Sequence, residues 1–226
     1  MSSESPKQVL LTQFATVAKA LSNPHRLELL EFVAQGERSV DALAKRAGLS
    51  VANASQHLIQ LRRAGLIVSR QAGKHVLYQL ADDTVLGLTS ALQRVAERNV
   101  AAVRQVVDGY FHERDALEPV SRETLVEQME EGLVTVLDVR PEDEFCSGHV
   151  PGALNITVAE LETRLRELPT DHEIVAYCRG AYCVLSFEAV AALRARGFKV
   201  RRMEDGFPEW RAAGLPVETR SAPISS

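Results

Sequence analysis

Reactive chemistry in this 226-residue chain centres on one short segment, Cys178-Arg179-Gly180-Ala181-Tyr182-Cys183. The apolar run Ile174-Val175-Ala176-Tyr177 leads directly into it, and a helical pattern from about 184 to 196, closed by Gly197, follows. That order puts Cys178 at the carboxyl end of a strand, facing backbone N–H groups of a loop that opens a helix. Those donors and the helix dipole favour the thiolate, the nucleophilic form of cysteine. The same cradle suits the negative charge of a persulfide, Cys–S–S⁻. There are three cysteines, Cys146, Cys178 and Cys183, all in the second half, and an odd number does not suit a secreted disulfide framework. In a reducing compartment this usage points to reactivity rather than stapling. Cys146, between Phe145 and Ser147, has no cation or helix start beside it and reads as a bystander.

The elements that position this loop alternate. β-prone runs at 134–140, 174–177 and 198–203, with a turn at 148–152 leading into a further strand, are separated by helical patterns. This predicts a parallel sheet flanked by helices, in which ligands bind at the carboxyl ends of strands. Upstream, Val85, Leu88, Leu92, Val95, Val103, Val106 and Tyr110 form a stripe of helical spacing with one polar break at Asn99. It predicts one long helix ending near Asp108-Gly109, and Pro119 after the charged residues from His112 cannot continue it. The expected organisation is therefore a first domain over 1–112, a linker over 113–119, a second domain over 120–218 and a flexible tail over 219–226. The Ser-rich stretches 1–5 and from 221 are expected to fray.

The first half offers short helices and a hairpin. Asn23-Pro24 is a cap followed by proline at a first helical position, with Leu27, Leu30, Phe32 and Val33 on the buried side and Gly36 at the end. Ser39 can cap a second helix carrying Val40, Leu43 and Ala44 inward, and Ser50 a third running to about Ala64. The turn Ala47-Gly48-Leu49-Ser50 between them completes a helix-turn-helix plan. Two β-prone runs, 66–70 and 75–80, flank Gln71-Ala72-Gly73-Lys74 and form a basic wing. Charge divides accordingly. Residues 1–112 hold 13 Lys and Arg against 9 Asp and Glu, whereas residues 113–226 hold 13 against 21, so a net −4 chain joins a +4 half to a −8 half. Only the first half is suited to a polyanion.

The blocks Ala20-Leu21-Ser22-Asn23-Pro24-His25-Arg26-Leu27, Leu49-Ser50, Ser55-Gln56-His57-Leu58 and Leu61-Arg62-Arg63-Ala64-Gly65-Leu66-Ile67 resemble the ArsR/SmtB-type repressors over nearly all of residues 8–110. The resemblance implies a homodimeric winged-helix protein on a near-palindromic duplex DNA operator, with first and last helices forming the dimer interface. It makes 51–60 the recognition helix, where Asn53, Ser55, Gln56 and His57 offer hydrogen bonds to base edges or phosphates. Packed or solvated polar residues are the equal alternative for Ser55 and His57. Arg62, Arg63, Arg70, Lys74 and His75 are candidates for phosphate contact, although a solvated basic face accounts for any one of them. The chain departs from metal-sensing members. Residues 37–43 hold no cysteine and the last helix no histidine before His112, so no metal site is expected in this half.

In the second half, Asp138-Val139-Arg140, Glu144-Phe145, Gly148-His149-Val150-Pro151-Gly152-Ala153, Tyr177-Cys178 and Asp205-Gly206-Phe207-Pro208-Glu209-Trp210 resemble single-domain rhodaneses over about 120–218. This implies a sulfurtransferase fold in which Cys178 accepts sulfane sulfur from a small donor such as thiosulfate or a polysulfide, Asp138 and Arg140 brace the loop, and His149 belongs to a structural turn. The sixth loop position, often Arg in thiosulfate-using members, is Cys183, and the glycine stands at Gly180. Arg179 is the possible substitute anion contact. Arg six residues after the cysteine, which a phosphatase needs, is replaced by Val184. Cys183 has two readings: a resolving thiol that attacks a persulfide on Cys178, or a small buried hydrophobe at the helix start.

With 46% hydrophobic and 25% charged residues the chain can fill two cores, and no stretch approaches the ~20 apolar residues that span a bilayer. A cytoplasmic location, no membrane contact and no cofactor are expected. The fold class expected is a mainly α winged helix-turn-helix followed by an α/β rhodanese-like parallel sheet. The function expected is a dimeric DNA-binding regulator, a repressor, responding to sulfane sulfur or another thiol-reactive signal at Cys178. The alternative is a thiosulfate or polysulfide sulfurtransferase whose N-terminal half dimerises it or tethers it to DNA, and a third reading is an oxyanion such as arsenic held by Cys178 and Cys183. No residue in the sequence identifies an element coupling the two halves.

Overall fold

Ser5 does not fray: it caps α1 (Pro6–Leu21), its Oγ accepting a hydrogen bond from the Gln8 N–H. The computed structural model describes residues 5–115 and 117–220, so the other residues expected to fray, 1–4 and 221–226, lie outside the described residues. Of the residues expected in the tail, 219 and 220 are described, and the Arg220 N–H donates to the Cys146 carbonyl at 3.1 Å. The chain divides into two compact units, Met1–Ser90 and Ala91–Ser226.

In the first unit the caps fall where their chemistry requires. Asn23 accepts from the Arg26 N–H to start α2 (Pro24–Ala34), Ser39 caps α3 (Val40–Arg46) and Ser50 caps α4 (Val51–Arg63). Gly48 makes the turn between α3 and α4 at φ +62°, a conformation that costs glycine little. Strands β2 (Ile67–Ala72) and β3 (His75–Leu80) pair antiparallel, from Ile67 opposite Leu80 to Ala72 opposite His75. A two-residue strand without a sequence signal, β1 (Arg38–Ser39), adds to the free side of β3 and gives the order β1-β3-β2. Leu29, Leu43, Leu58, Leu61 and Ile67 fill the core beneath this frame.

The single long helix expected over 85–111 is interrupted. α5 (Thr84–Asn99) stops where the Asn99 side chain turns back to donate to the Val95 carbonyl at 2.9 Å. Val100 then leaves helical geometry, at φ −108° and ψ 110°, and α6 (Ala101–Val106) begins. Gly109 does not end it either, since a π-helical stretch, Val107–His112, carries the chain past that point. Residues 91–115 group with the second unit, upstream of the composition change at 112.

The second unit continues with α7 (Arg122–Glu130), β4 (Val134–Asp138), α8 (Glu142–Ser147), β5 (Leu154–Asn155), α9 (Leu161–Arg164), a 3₁₀ turn (Leu165–Glu167), β6 (Glu173–Tyr177), α10 (Val184–Arg194), β7 (Val200–Arg202) and α11 (Phe207–Ala212). β4 stops two residues short of the expected Arg140. The sheet is parallel throughout, in the order β5-β4-β6-β7. Alternation along β6 accounts for its continuous apolar run: Ile174 and Ala176 pack on one face with Leu137, Val190 and Leu193, and Val175 and Tyr177 pack on the other with Leu125, Phe207 and Trp210.

Candidate sulfur loop and nucleic-acid interface

Tyr177 ends β6, and Cys178, 1% exposed, begins the loop. The loop closes on itself. Cys183 stands at the N-cap position of α10 and is joined to Cys178 by a disulfide, with the Cα atoms 6.1 Å apart. The Cys183 N–H donates to the Gly180 carbonyl at 3.1 Å, tightening the turn. A neighbouring segment seals it: the Phe207 N–H donates to the Cys178 carbonyl at 3.0 Å, and a β-carbon on Gly206 would overlap the Arg179 and Gly180 backbone. Glycine is needed there for close approach of two backbones.

Buried charges hold the strand ends. Asp138 and Arg140 are both fully buried, and Arg140 donates through Nη2 to Asp138 Oδ2 at 2.6 Å and to the Gly148 carbonyl at 2.8 Å. The Tyr177 hydroxyl donates to Asp138 and accepts from the Val150 N–H at 3.1 Å. Burial, and then the Asp138 carboxylate, push the Tyr177 phenol well above its ordinary pKa, so it remains a donor. These contacts tie β4, β6 and the 148–150 turn together. The loop itself is held from α8: fully buried Glu144 accepts from Arg179 Nε at 2.9 Å and from Nη2 at 2.9 Å. Arg179 therefore directs its guanidinium fork at Glu144, a residue the spacing argument had not singled out. His149 stacks on Phe145 at 3.7 Å, with Nδ1 2.9 Å from the Phe145 carbonyl, as a structural turn requires. Cys146 is a buried free thiol whose pKa is raised by burial first and then by Glu142.

In the first unit, α4 turns Ala54, Leu58 and Leu61 into the core, leaving Asn53 and Gln56 exposed and Ser55 and His57 half-buried. Burial, then the charge of Arg26 and then His25, lower the His57 pKa, and its Nδ1 is enclosed without a hydrogen-bond partner. Neutral imidazole is thus the favoured form. Arg62, Arg63, Lys74 and His75 are exposed, the last two at the wing tip, and Arg62 Nη1 donates to Ser69 Oγ at 3.1 Å. Arg70 differs. Both arms of its guanidinium bind Glu37, with Nε 2.6 Å from Oε1, and that bond lowers the Glu37 pKa. Sequence reasoning also missed Arg26, which donates to Gln60 Oε1 at 2.8 Å and to the Lys19 carbonyl at 2.9 Å, joining α1, α2 and α4. Among the described residues no group of three or more His, Cys, Asp and Glu is placed to hold a metal ion, and no helix is long and apolar enough to cross a membrane.

A helix-turn-helix with a hairpin wing, followed by a parallel sheet whose strand-end cysteine loop opens a helix, defines a winged-helix regulator carrying a rhodanese-like domain. Residues 21–70 match the family of the helix-turn-helix domain and residues 121–213 that of the rhodanese-like domain. The chain is 44% identical over 219 residues to the HTH-type transcriptional regulator Rv0324 of Mycobacterium tuberculosis, an alignment covering 96% of this chain and 95% of that protein. It belongs to the HTH-type transcriptional regulators. It is also 32% identical over 85 residues to a sulfurtransferase of Allochromatium vinosum, covering 37% of this chain and 78% of that protein. A solution structure of the homodimeric winged helix-turn-helix DNA-binding domain of a possible ArsR-family regulator from Mycobacterium bovis superposes with a TM-score of 0.41 at 38% identity, covering 45% of this chain and 95% of that one.

Proposed function

We propose that this regulator is a cytoplasmic, homodimeric repressor that grips an operator with α4 and the wing, and whose operator affinity responds to sulfane sulfur received at Cys178. The observation that carries the sulfur half is the Cys178–Cys183 disulfide, closed across the loop between β6 and α10. With hydrogen disulfide as donor, the Cys178 thiolate attacks a sulfur of HSS⁻, forming Cys178–S–S⁻ and releasing HS⁻. After protonation of the outer sulfur, the Cys183 thiolate attacks Cys178 Sγ and expels a second HS⁻. Two thiols are oxidised to one disulfide and the donor is reduced to two hydrosulfides. Cys183 is the resolving thiol in this reading.

DNA contact rests on Asn53, Ser55, Gln56 and His57 along α4, with Arg62, Arg63, Lys74 and His75 on phosphates. Arg70 joins them only by exchanging Glu37 for a phosphate. The apolar residues Leu10 and Phe14 on α1 and Leu92 and Val95 on α5 are exposed, which supports a second copy as their cover. The sulfurtransferase relative supports a second reading, a turnover enzyme. The engagement of Arg179 by Glu144 weighs against thiosulfate, whose sulfonate needs a free cation.

Intact-mass measurement after polysulfide treatment tests the sulfur chemistry. The parent chain should lose two hydrogens, Cys183→Ser should gain one sulfur atom and keep it, and Cys178→Ser should gain none. Sulfur uptake by Cys178→Ser equal to that of Cys183→Ser would remove Cys178 from the reaction.

A further inference from the structure

The residue beside the resolving thiol reaches out of the sheet domain's loop. The Tyr182 hydroxyl donates to Glu97 Oε2 at 2.6 Å, and Glu97 lies on α5. The Tyr182 ring meets Phe111 edge-on at 5.6 Å, and Phe111 packs on Phe187 of α10 at 4.7 Å. Asp115, a little further along the same segment, forms an ion pair with Arg194 Nη1 at 2.8 Å. The 97–115 segment is thus fastened to α10 by the Phe111 and Asp115 contacts, and to the cysteine loop itself through Tyr182.

We infer that the Tyr182–Glu97 contact is the coupling element through which the state of the Cys178–Cys183 pair is communicated to α5. Tyr182 is one of four residues inside the ring that the disulfide closes, and it is bonded directly to Cys183. Opening the ring removes a constraint from the backbone that aims its side chain, and bridging restores it. With the ring closed, burial first and the Glu97 bond second hold the Tyr182 pKa up at about 12, so the phenol donates the bond. Glu97 follows Leu92 and Val95, two of the exposed apolar residues of α5, so a shift at Glu97 acts on the surface that the proposed dimer uses. Coupling of this kind requires two arrangements with different operator affinity, and a contact made in one loop state and released in the other supplies the difference.

This inference rests on the proposed sulfur-responsive function, and the test separates the two. A duplex operator is selected from a random-sequence pool with reduced full-length protein. Its affinity is then measured for reduced and disodium-tetrasulfide-treated samples, with intact mass recorded for each. The parent should change its Kd by about tenfold on bridging. Tyr182→Phe, which keeps the ring on Phe111 but removes the hydroxyl, and Glu97→Ala should bridge normally while their Kd changes by less than about twofold. Glu97→Gln keeps an acceptor and should retain the parent's response. A full response in bridged Tyr182→Phe and Glu97→Ala would overturn the coupling and leave the function standing. A bridged parent with unchanged Kd would overturn both.

Discussion

The two functional regions are built on opposite plans. On the winged helix, the residues suited to DNA stand on the surface: Asn53, Gln56, Arg62, Arg63, Lys74 and His75 are exposed over a core that Leu29, Leu43, Leu58 and Leu61 fill. Around the cysteine loop the arrangement is inverted, with Cys178, Asp138, Arg140 and Glu144 buried, and with Arg140 and Arg179 hydrogen-bonded to neighbouring elements. Surface cations contribute to binding in separable steps. Buried ion pairs do not separate, because removing one partner leaves the other charged and dry.

The sharpest way to break this contrast is Asp138→Ala. It strands Arg140 inside the sheet domain and should destabilise that domain by about 3–5 kcal/mol, read as a lower midpoint in urea denaturation. Lys74→Ala at the wing tip should stay within about 0.5 kcal/mol of the parent in the same assay. An Asp138→Ala midpoint equal to the parent's would mean that the buried network is not what holds the strand ends. The next effect concerns DNA: replacing Arg62, Arg63 and Lys74 together with Ala in both protomers of the proposed dimer should lower the slope of log K against log salt by about five, with no change in the fold. Smaller again is Glu37→Gln, which weakens the hold on Arg70 in each protomer and should steepen that slope by about two at most. A slope that falls in Glu37→Gln would show that the Glu37–Arg70 pair itself shapes the DNA-binding face.

What was legible in the sequence follows from how local each signal is. Asn23, Ser39 and Ser50 act within three residues of themselves, so the starts of α2, α3 and α4 could be read from composition and spacing. The parallel sheet was legible because strand and helix periods alternate. Glu144–Arg179 and Glu37–Arg70 were not legible, since their partners stand 35 and 33 residues apart and meet only through the tertiary fold. Those two pairs change the site most, by engaging cations that looked available for thiosulfate and for phosphate. The break after Asn99 was half legible: the polar interruption was visible, but not that its side chain would turn back on Val95 and release Val100 from the helix. Tyr182 carried no local signal, and Glu97 lies 85 residues from it.

On the proposed function, one chain joins an exposed DNA-reading face to a buried sulfur-responsive loop, and the second governs the first. The most direct measurement is operator affinity against polysulfide dose for the parent and for Cys178→Ser, with intact mass read on the same samples. Parent affinity should move in step with the fraction of bridged protein, while Cys178→Ser should bind the operator at every dose with constant affinity. A parent that bridges fully without any change in affinity, or a Cys178→Ser chain that responds as the parent does, would contradict it.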